Sequence, residues 1–368
     1  MNILAAPISG GCFGIQLAAI KKLCEIGYRP DICFVGSGGT VACLVAEAGN
    51  WKPSGIDMVV SELDSKVFIK KKCKALFNVI PSDVVGYFSG YMYESNPTPE
   101  VFMKNFFTSK SVQETEIWIG AINKRSGRLA TFCNKSYEKS IIKGDNFNTS
   151  MYNSEPLRYL SGDIVNISRA MIASCSIPIL LNSRDIGEES YIDCGTKFAS
   201  PLTSMQEEIK HLSVNSVHII YVSGYDVQRS LGVIDNNKTS TMSGLFETIP
   251  NHIVRGMVIA DRSAAYQIIS STTTLNNPVM YAIAPISSLK EIILERSKCQ
   301  ASLIEIYPVT SIEVNIFDFT SKDLAENIAI SGDLLGIRLW WSCKIGDKNR
   351  GRLFKSVPNI MMTRASSI

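Results

Sequence analysis

Apolar residues at the start of the chain gather in short dense runs, each followed by glycines and then by apolar positions at helical spacing. Residues 2–6, NILAA, give way to Pro7 and SGGCFG, then to IQLAAIKKLCEIG, where apolar positions recur every three to four residues up to Gly27. This order reads as strand, glycine loop and helix. It repeats at once: PDICFV is followed by GSGG and by TVACLVAEAG. Two strand-turn-helix units in succession predict an α/β fold, with a mainly parallel central sheet and crossover helices.

Residues 50–115 break the pattern by mixing a lysine cluster with bulky apolar and aromatic residues, which predicts helices capping the sheet. ETEIWIGAIN and RLATFCN, joined by KRSG, predict a hairpin. After a polar loop at 134–161, GDIVNISRAMIASCSIPILL predicts a helix running up to Pro178. YIDCG and SVHIIYVSG then read as strands, 244–271 as a helix, SLIEIYPV as a strand, and SKDLAENIAISGDLLGIRLWW as a last helix. The expected organisation is a core over 3–210, a continuation of the same fold over 211–342, and a loosely ordered tail over 343–368.

Composition narrows the partners. Among 368 residues, 37 Lys+Arg against 34 Asp+Glu leave a net charge of +3, too weak a field to imply nucleic-acid binding. Ten cysteines without a C-x-x-C pair point to free thiols, and with only three histidines no metal site is expected. No secretory signal or long apolar run is evident, so a cytoplasmic protein is expected. Lys66, Lys70, Lys71, Lys72 and Lys74, beside aromatic residues, suggest either a solvated helix face or peripheral contact with an anionic membrane.

Three places could carry chemistry. In the oxyanion-type loop 9–14, successive small residues before a helix let backbone N–H groups face a negative charge. In the turn 35–39, Val35-Gly36-Ser37-Gly38-Gly39, glycines flank one serine between strand and helix, the layout that lifts a nucleophilic hydroxyl above a sheet edge. The C-terminal ends of adjacent parallel strands share an edge, so the two loops should face one crevice. Asp193 ends a predicted strand at the turn 193–195 and could supply the base. His211 and His218 follow it in the order of a serine triad and compete for that role.

Together, SGGCFGIQLAAIKKL, PDICFVGSGGTVACL and IASCSIPILLNSRDIGEESYIDCGTKFASPL resemble the patatin-like phospholipase family over most of residues 3–335. The resemblance implies a three-layer α/β/α fold, a Ser-Asp dyad without histidine, no cofactor, and a lipid or phospholipid ester as substrate. Carried over by position, Ser37 would be the nucleophile, Asp193 the base, and Gly10, Gly11 and Cys12 the oxyanion donors. Gly14, Val35, Gly39 and Gly195 would occupy the supporting motif positions. Ser9, Phe13, Val35 and Cys194 depart from the family pattern, and Val35, being β-branched, is expected to crowd the helix behind the turn. A carboxylate that serves as base near pH 7 needs a raised pKa, for which Tyr191, Ile192 and Phe198 offer an apolar setting. Two other readings stand beside this one. The first is an inactive patatin-like scaffold, to which the departures point. The second is a Rossmann-type nucleotide binder, against which each loop lacks one glycine and the second strand ends without an acidic residue.

Overall fold

A computed structural model describes residues 1–62, 69–71, 93–95, 114–145, 147–150, 153–178, 181–212, 216–226, 242–271, 279–309, 328, 332–342 and 353–363. In chain order these form β1 (Asn2–Ala6), α1 (Phe13–Glu25), β2 (Ile32–Gly36), α2 (Gly38–Ala48), α3 (Pro53–Glu62), β3 (Ile69–Lys71), β4 (Tyr93–Ser95), β5 (Glu116–Asn123), β6 (Leu129–Cys133) and β7 (Arg158–Tyr159). There follow α4 (Ile164–Ser174), β8 (Arg184–Ile186), β9 (Glu189–Asp193), α5 (Gln206–His211), β10 (Val217–Val222), α6 (Met242–Ser271), β11 (Met280–Pro285), α7 (Leu289–Arg296), β12 (Ala301–Pro308), β13 (Leu335–Ser342) and β14 (Met361–Thr363).

The central strands β12-β10-β1-β2-β5 are parallel, as the early strand-loop-helix units require. Antiparallel pairing begins at both flanks: at one, β6 and β9 pair with opposite edges of β5 and β7 joins β6 in parallel, and at the other β13, β11 and β14 continue from β12. A short turn can return a chain only antiparallel, so the hairpin expected from KRSG appears as β5-β6. Because β1 pairs directly with β10, the residues after 210 extend the same sheet.

Side-chain alternation divides the core in two. Leu4, Ala6, Cys33, Val35, Ile220 and Ile304 pack beneath α1, α2, α4 and α7, while Ile3, Ala5, Phe34, Ile219 and Leu303 pack beneath α5 and α6. A sheet covered on both faces needs apolar residues at consecutive positions, which explains the dense runs in the sequence. The result is an α/β fold whose sheet lies between two helical layers.

The helix expected to run up to Pro178 ends at Ser174, and the paired strands β3 and β4 lie in the segment expected as capping helices. Two further expectations fail. The end of the segment expected as a last helix, from Leu335 to Trp341, lies in strand β13, which is buried along its whole length between β12 and β11. Its run LGIRLWW is apolar throughout, a pattern that suits a buried strand as well as a helix. The tail is not loose over 353–363. Leu353, Phe354 and Val357 are buried, Phe354 meets Trp341 edge-on at 4.8 Å, and β14 pairs with β11. Of the lysine cluster, the backbone of Lys70 and Lys71 lies in β3, paired with β4, while Lys66, Lys72 and Lys74 lie outside the described residues.

Candidate active site

Strand β5 is longer than β2, and that difference builds the site. β6 occupies one edge of β5 over Trp118–Ile122. The other edge is shared, with β2 pairing to Glu116–Gly120 and β9 to Ala121–Asn123. β2 is parallel to β5 and β9 antiparallel, so their C-terminal ends run toward each other along a single edge. Ser37 leaves one end and Asp193 terminates the other.

At the end of β2 the chain turns abruptly. Ser37 has φ 49° and ψ −126°, and α2 begins at the next residue. Gly38 makes this turn compatible with the neighbouring loop: a Cβ there would stand 2.5 Å from Ser9 Oγ and 2.7 Å from the Gly10 carbonyl oxygen. Loop 9–14 and turn 35–39 are thus in direct contact, as the parallel-sheet argument requires. Val35 is wholly buried in the core layer beneath the helices.

The Ser37 hydroxyl donates to Asp193 Oδ2 at 2.7 Å. Asp193 Oδ1 accepts the Gly195 N–H at 2.6 Å, so one carboxylate oxygen is fixed by its own turn while the other faces the serine. Both residues are buried, Ser37 at 4% exposure and Asp193 at 3%. Burial pushes the Asp193 carboxyl from 3.8 up to about 7, against the opposing pull of the bonds from Ser37 and Gly195. Part of the apolar setting is Ile8, whose side chain lies against Gly195 beside the carboxyl, whereas Phe198 is only half-buried. A carboxyl poised near neutrality and bonded to a hydroxyl is matched to general-base work at pH 7.

Residues Gly10–Cys12 form one 3-10 turn that leads into α1, with Gly10 at φ 52° and Gly14 buried in the first turn of the helix. The third donor named from the family resemblance does not face outward: the Cys12 N–H donates to the Ser9 carbonyl at 2.9 Å within this turn. Gly10 and Gly11 remain the candidate oxyanion donors. Ser9 is a structural anchor here. Its hydroxyl donates to Gln16 Oε1 at 2.6 Å, and its carbonyl also accepts from the Tyr225 hydroxyl at 2.7 Å. Gln16 in turn donates to the carbonyls of Pro7 and Val222, which fastens the loop to the ends of β1 and β10.

The histidines stand apart. His218 lies at the opposite end of the sheet, in register with Asn2, and bonds Ser302 Oγ at 2.9 Å. Burial, reinforced by Arg296, lowers its pKa to about 4. His211 closes α5 and bonds neither Ser37 nor Asp193. Gln16, Tyr225 and the three residues Ser174, Cys175 and Ser176, which reach both Ser37 and Asp193, are not singled out by the sequence motifs. A visible trace existed for one of them, since Gln16 is the lone polar residue in the apolar stretch IQLAAI of α1.

No family model matches the chain, and no curated protein matches it.

Proposed function

We propose that the chain is a serine acyl hydrolase of the patatin-like type, which cleaves lipid or phospholipid esters through a Ser37–Asp193 dyad. The observation that carries this reading is the 2.7 Å bond from the Ser37 hydroxyl, at a left-handed elbow, to a buried carboxyl whose pKa stands at about 7.

In the first half-reaction Asp193 Oδ2 takes the Ser37 proton as Oγ attacks the ester carbonyl carbon. Negative charge develops on the carbonyl oxygen, beside the amides of Gly10 and Gly11 at the start of α1. The leaving alcohol takes the proton from Asp193 as its bond to carbon breaks, which leaves an acyl group on Ser37. Water then gives a proton to Asp193 and attacks the acyl carbon, and the proton returns to Ser37 Oγ as the acid departs. Contact with an anionic bilayer through Lys66, Lys70, Lys71, Lys72 and Lys74 belongs to the same reading. Liposome sedimentation of a Lys70/Lys71/Lys72→Glu variant tests that contact, and unchanged binding would remove it.

A fluorophosphonate probe tests the central claim. The wild-type protein is expected to be labelled and to hydrolyse a p-nitrophenyl ester and phosphatidylcholine vesicles, and Ser37→Ala and Asp193→Asn to do neither. An unlabelled, inactive but folded wild type would favour the scaffold instead.

A further inference from the structure

The backbone of Ser37 needs outside support. Its φ of 49° with ψ of −126° is a conformation that residues with side chains rarely adopt, and one that persists only where neighbours impose it. The end of α4 imposes it from both sides. The Ser37 N–H donates to Ser174 Oγ at 2.9 Å, and the Cys175 thiol donates to the Ser37 carbonyl at 3.1 Å. The next residue reaches the other partner, because the Asp193 N–H donates to the Ser176 carbonyl at 2.9 Å. Three consecutive residues therefore tie the serine to the aspartate by bonds separate from the one between their side chains.

Ser174 has the stronger hold of the two side-chain contacts. It is completely buried, and its hydroxyl also lies 3.2 Å from Thr40 Oγ1 and 3.9 Å from Cys194 Sγ. That single oxygen touches the nucleophile's own amide, the first turn of α2 and the residue next to the base. Hydroxyl oxygen is a good acceptor, whereas the Cys175 thiol is only a weak donor. We propose that Ser174 is a positioning residue for ester hydrolysis, holding the strained Ser37 backbone so that Oγ stays on Asp193 while it faces the ester carbon. This inference rests on the Ser37–Asp193 reading. Misplacement of a reacting group by an ångström costs about 10²-fold in rate.

The test compares wild type with Ser174→Ala, Ser174→Thr and Cys175→Ala, using p-nitrophenyl butyrate. Ser174→Ala is expected to lower kcat by about 10- to 100-fold with KM and the pH midpoint of activity unchanged. Ser174→Thr, which keeps the hydroxyl, is expected to restore most of the loss, and Cys175→Ala to cost less than Ser174→Ala. If Ser174→Ala does not fold, Ser174→Cys carries the same expectation, since a thiol of similar shape accepts poorly. Wild-type kcat in Ser174→Ala would overturn the inference, as would a loss confined to KM or one that Ser174→Thr fails to rescue. The amide proton resonance of Ser37 gives a second readout that needs no turnover. Loss of the bond to Ser174 should move it upfield, and an unmoved resonance overturns the inference. Absence of labelling and turnover in the wild type would instead sink the hydrolase reading itself, whatever that resonance does.

Discussion

Ser37 and Asp193 meet because β2 and β9 run toward each other along one edge of β5, and the 2.7 Å bond between their side chains spans the point where the strands stop. Neither residue is placed by a flexible loop. Each leaves a strand whose register is set by pairing with β5, so the separation of hydroxyl and carboxyl follows from the sheet. Rigid supporting elements of this kind hold reacting groups better than loops do.

Activity should follow the ionisation of Asp193. The base must be unprotonated, and its pKa is raised to about 7, so kcat/KM is expected to rise with pH and level off above about pH 8. Asp261 is a second buried carboxyl raised to about 7, but it accepts from Ser200, Thr203 and Tyr221 and does not touch Ser37. Asp261→Asn should therefore keep the acid limb, while Asp193→Asn abolishes turnover. A pH profile of ester hydrolysis for the three proteins checks this, and loss of the limb in Asp261→Asn would contradict it.

Stability should move the opposite way. A carboxyl whose folded pKa exceeds its unfolded value favours the folded state when protonated. Its contribution is full below about pH 4 and is lost as pH rises through about 7. Keeping Asp193 ionised above that range costs folding on the order of 2–4 kcal/mol. Asp193→Asn retains an acceptor for Gly195 and carries no charge. It should raise the thermal midpoint at pH 8 and leave it nearly unchanged at pH 4. Calorimetry at the two pH values measures the difference. Equal shifts at both would show that packing, not ionisation, is responsible.

The parallel centre of the sheet was legible in the sequence because both units, NILAA-SGGCFG and PDICFV-GSGG, are local and repeat the same order. Ser37 and Asp193 were legible for a related reason: each stands where an apolar run meets small residues. The end-to-end approach of β2 and β9 was not, since it depends on β5 outrunning β2 by three residues, a matter of pairing between segments far apart in the chain. The roles of Ser174, Cys175 and Ser176 were hidden likewise, because a serine or cysteine at a helix end has the same composition whether it faces solvent or a nucleophile. β13 was misread because a run buried on both faces carries no period of two.

The elbow should tolerate no methyl group at Gly39. A Cβ there would overlap the Ala6 carbonyl oxygen and stand 2.7 Å from that of Pro7, and backbone at the end of β1 has no room to withdraw. Gly39→Ala should destabilise by about 3 kcal/mol, the upper end of the usual cost of overpacking. Gly256, exposed within α6, has nothing near its Cβ position. Gly256→Ala should stabilise by about 0.5–1 kcal/mol through helix propensity. Urea midpoints of the two variants give opposite signs if the contacts are as described.

Loop 9–14 should depend on a charge network that it never touches. Glu305, completely buried on β12, accepts from Arg262 Nη1 and Arg338 Nη1 at 3.2 Å each, and Arg338 Nη2 donates to Asp226 at 2.6 Å. Asp226 directly follows Tyr225, whose hydroxyl holds the Ser9 carbonyl. Arg338→Gln takes away one of the two guanidinium partners of Glu305 together with the bond to Asp226, and breaking a buried pair costs up to about 3–5 kcal/mol. It should therefore lower the denaturant midpoint, and through the altered contact at Asp226 it should slow fluorophosphonate labelling of Ser37. Tyr225→Phe removes the hydroxyl that bonds the Ser9 carbonyl, so it should slow labelling while costing about 1 kcal/mol of stability. If Arg338→Gln loses stability but labels at the wild-type rate under conditions where it is folded, the network supports the core without reaching the loop.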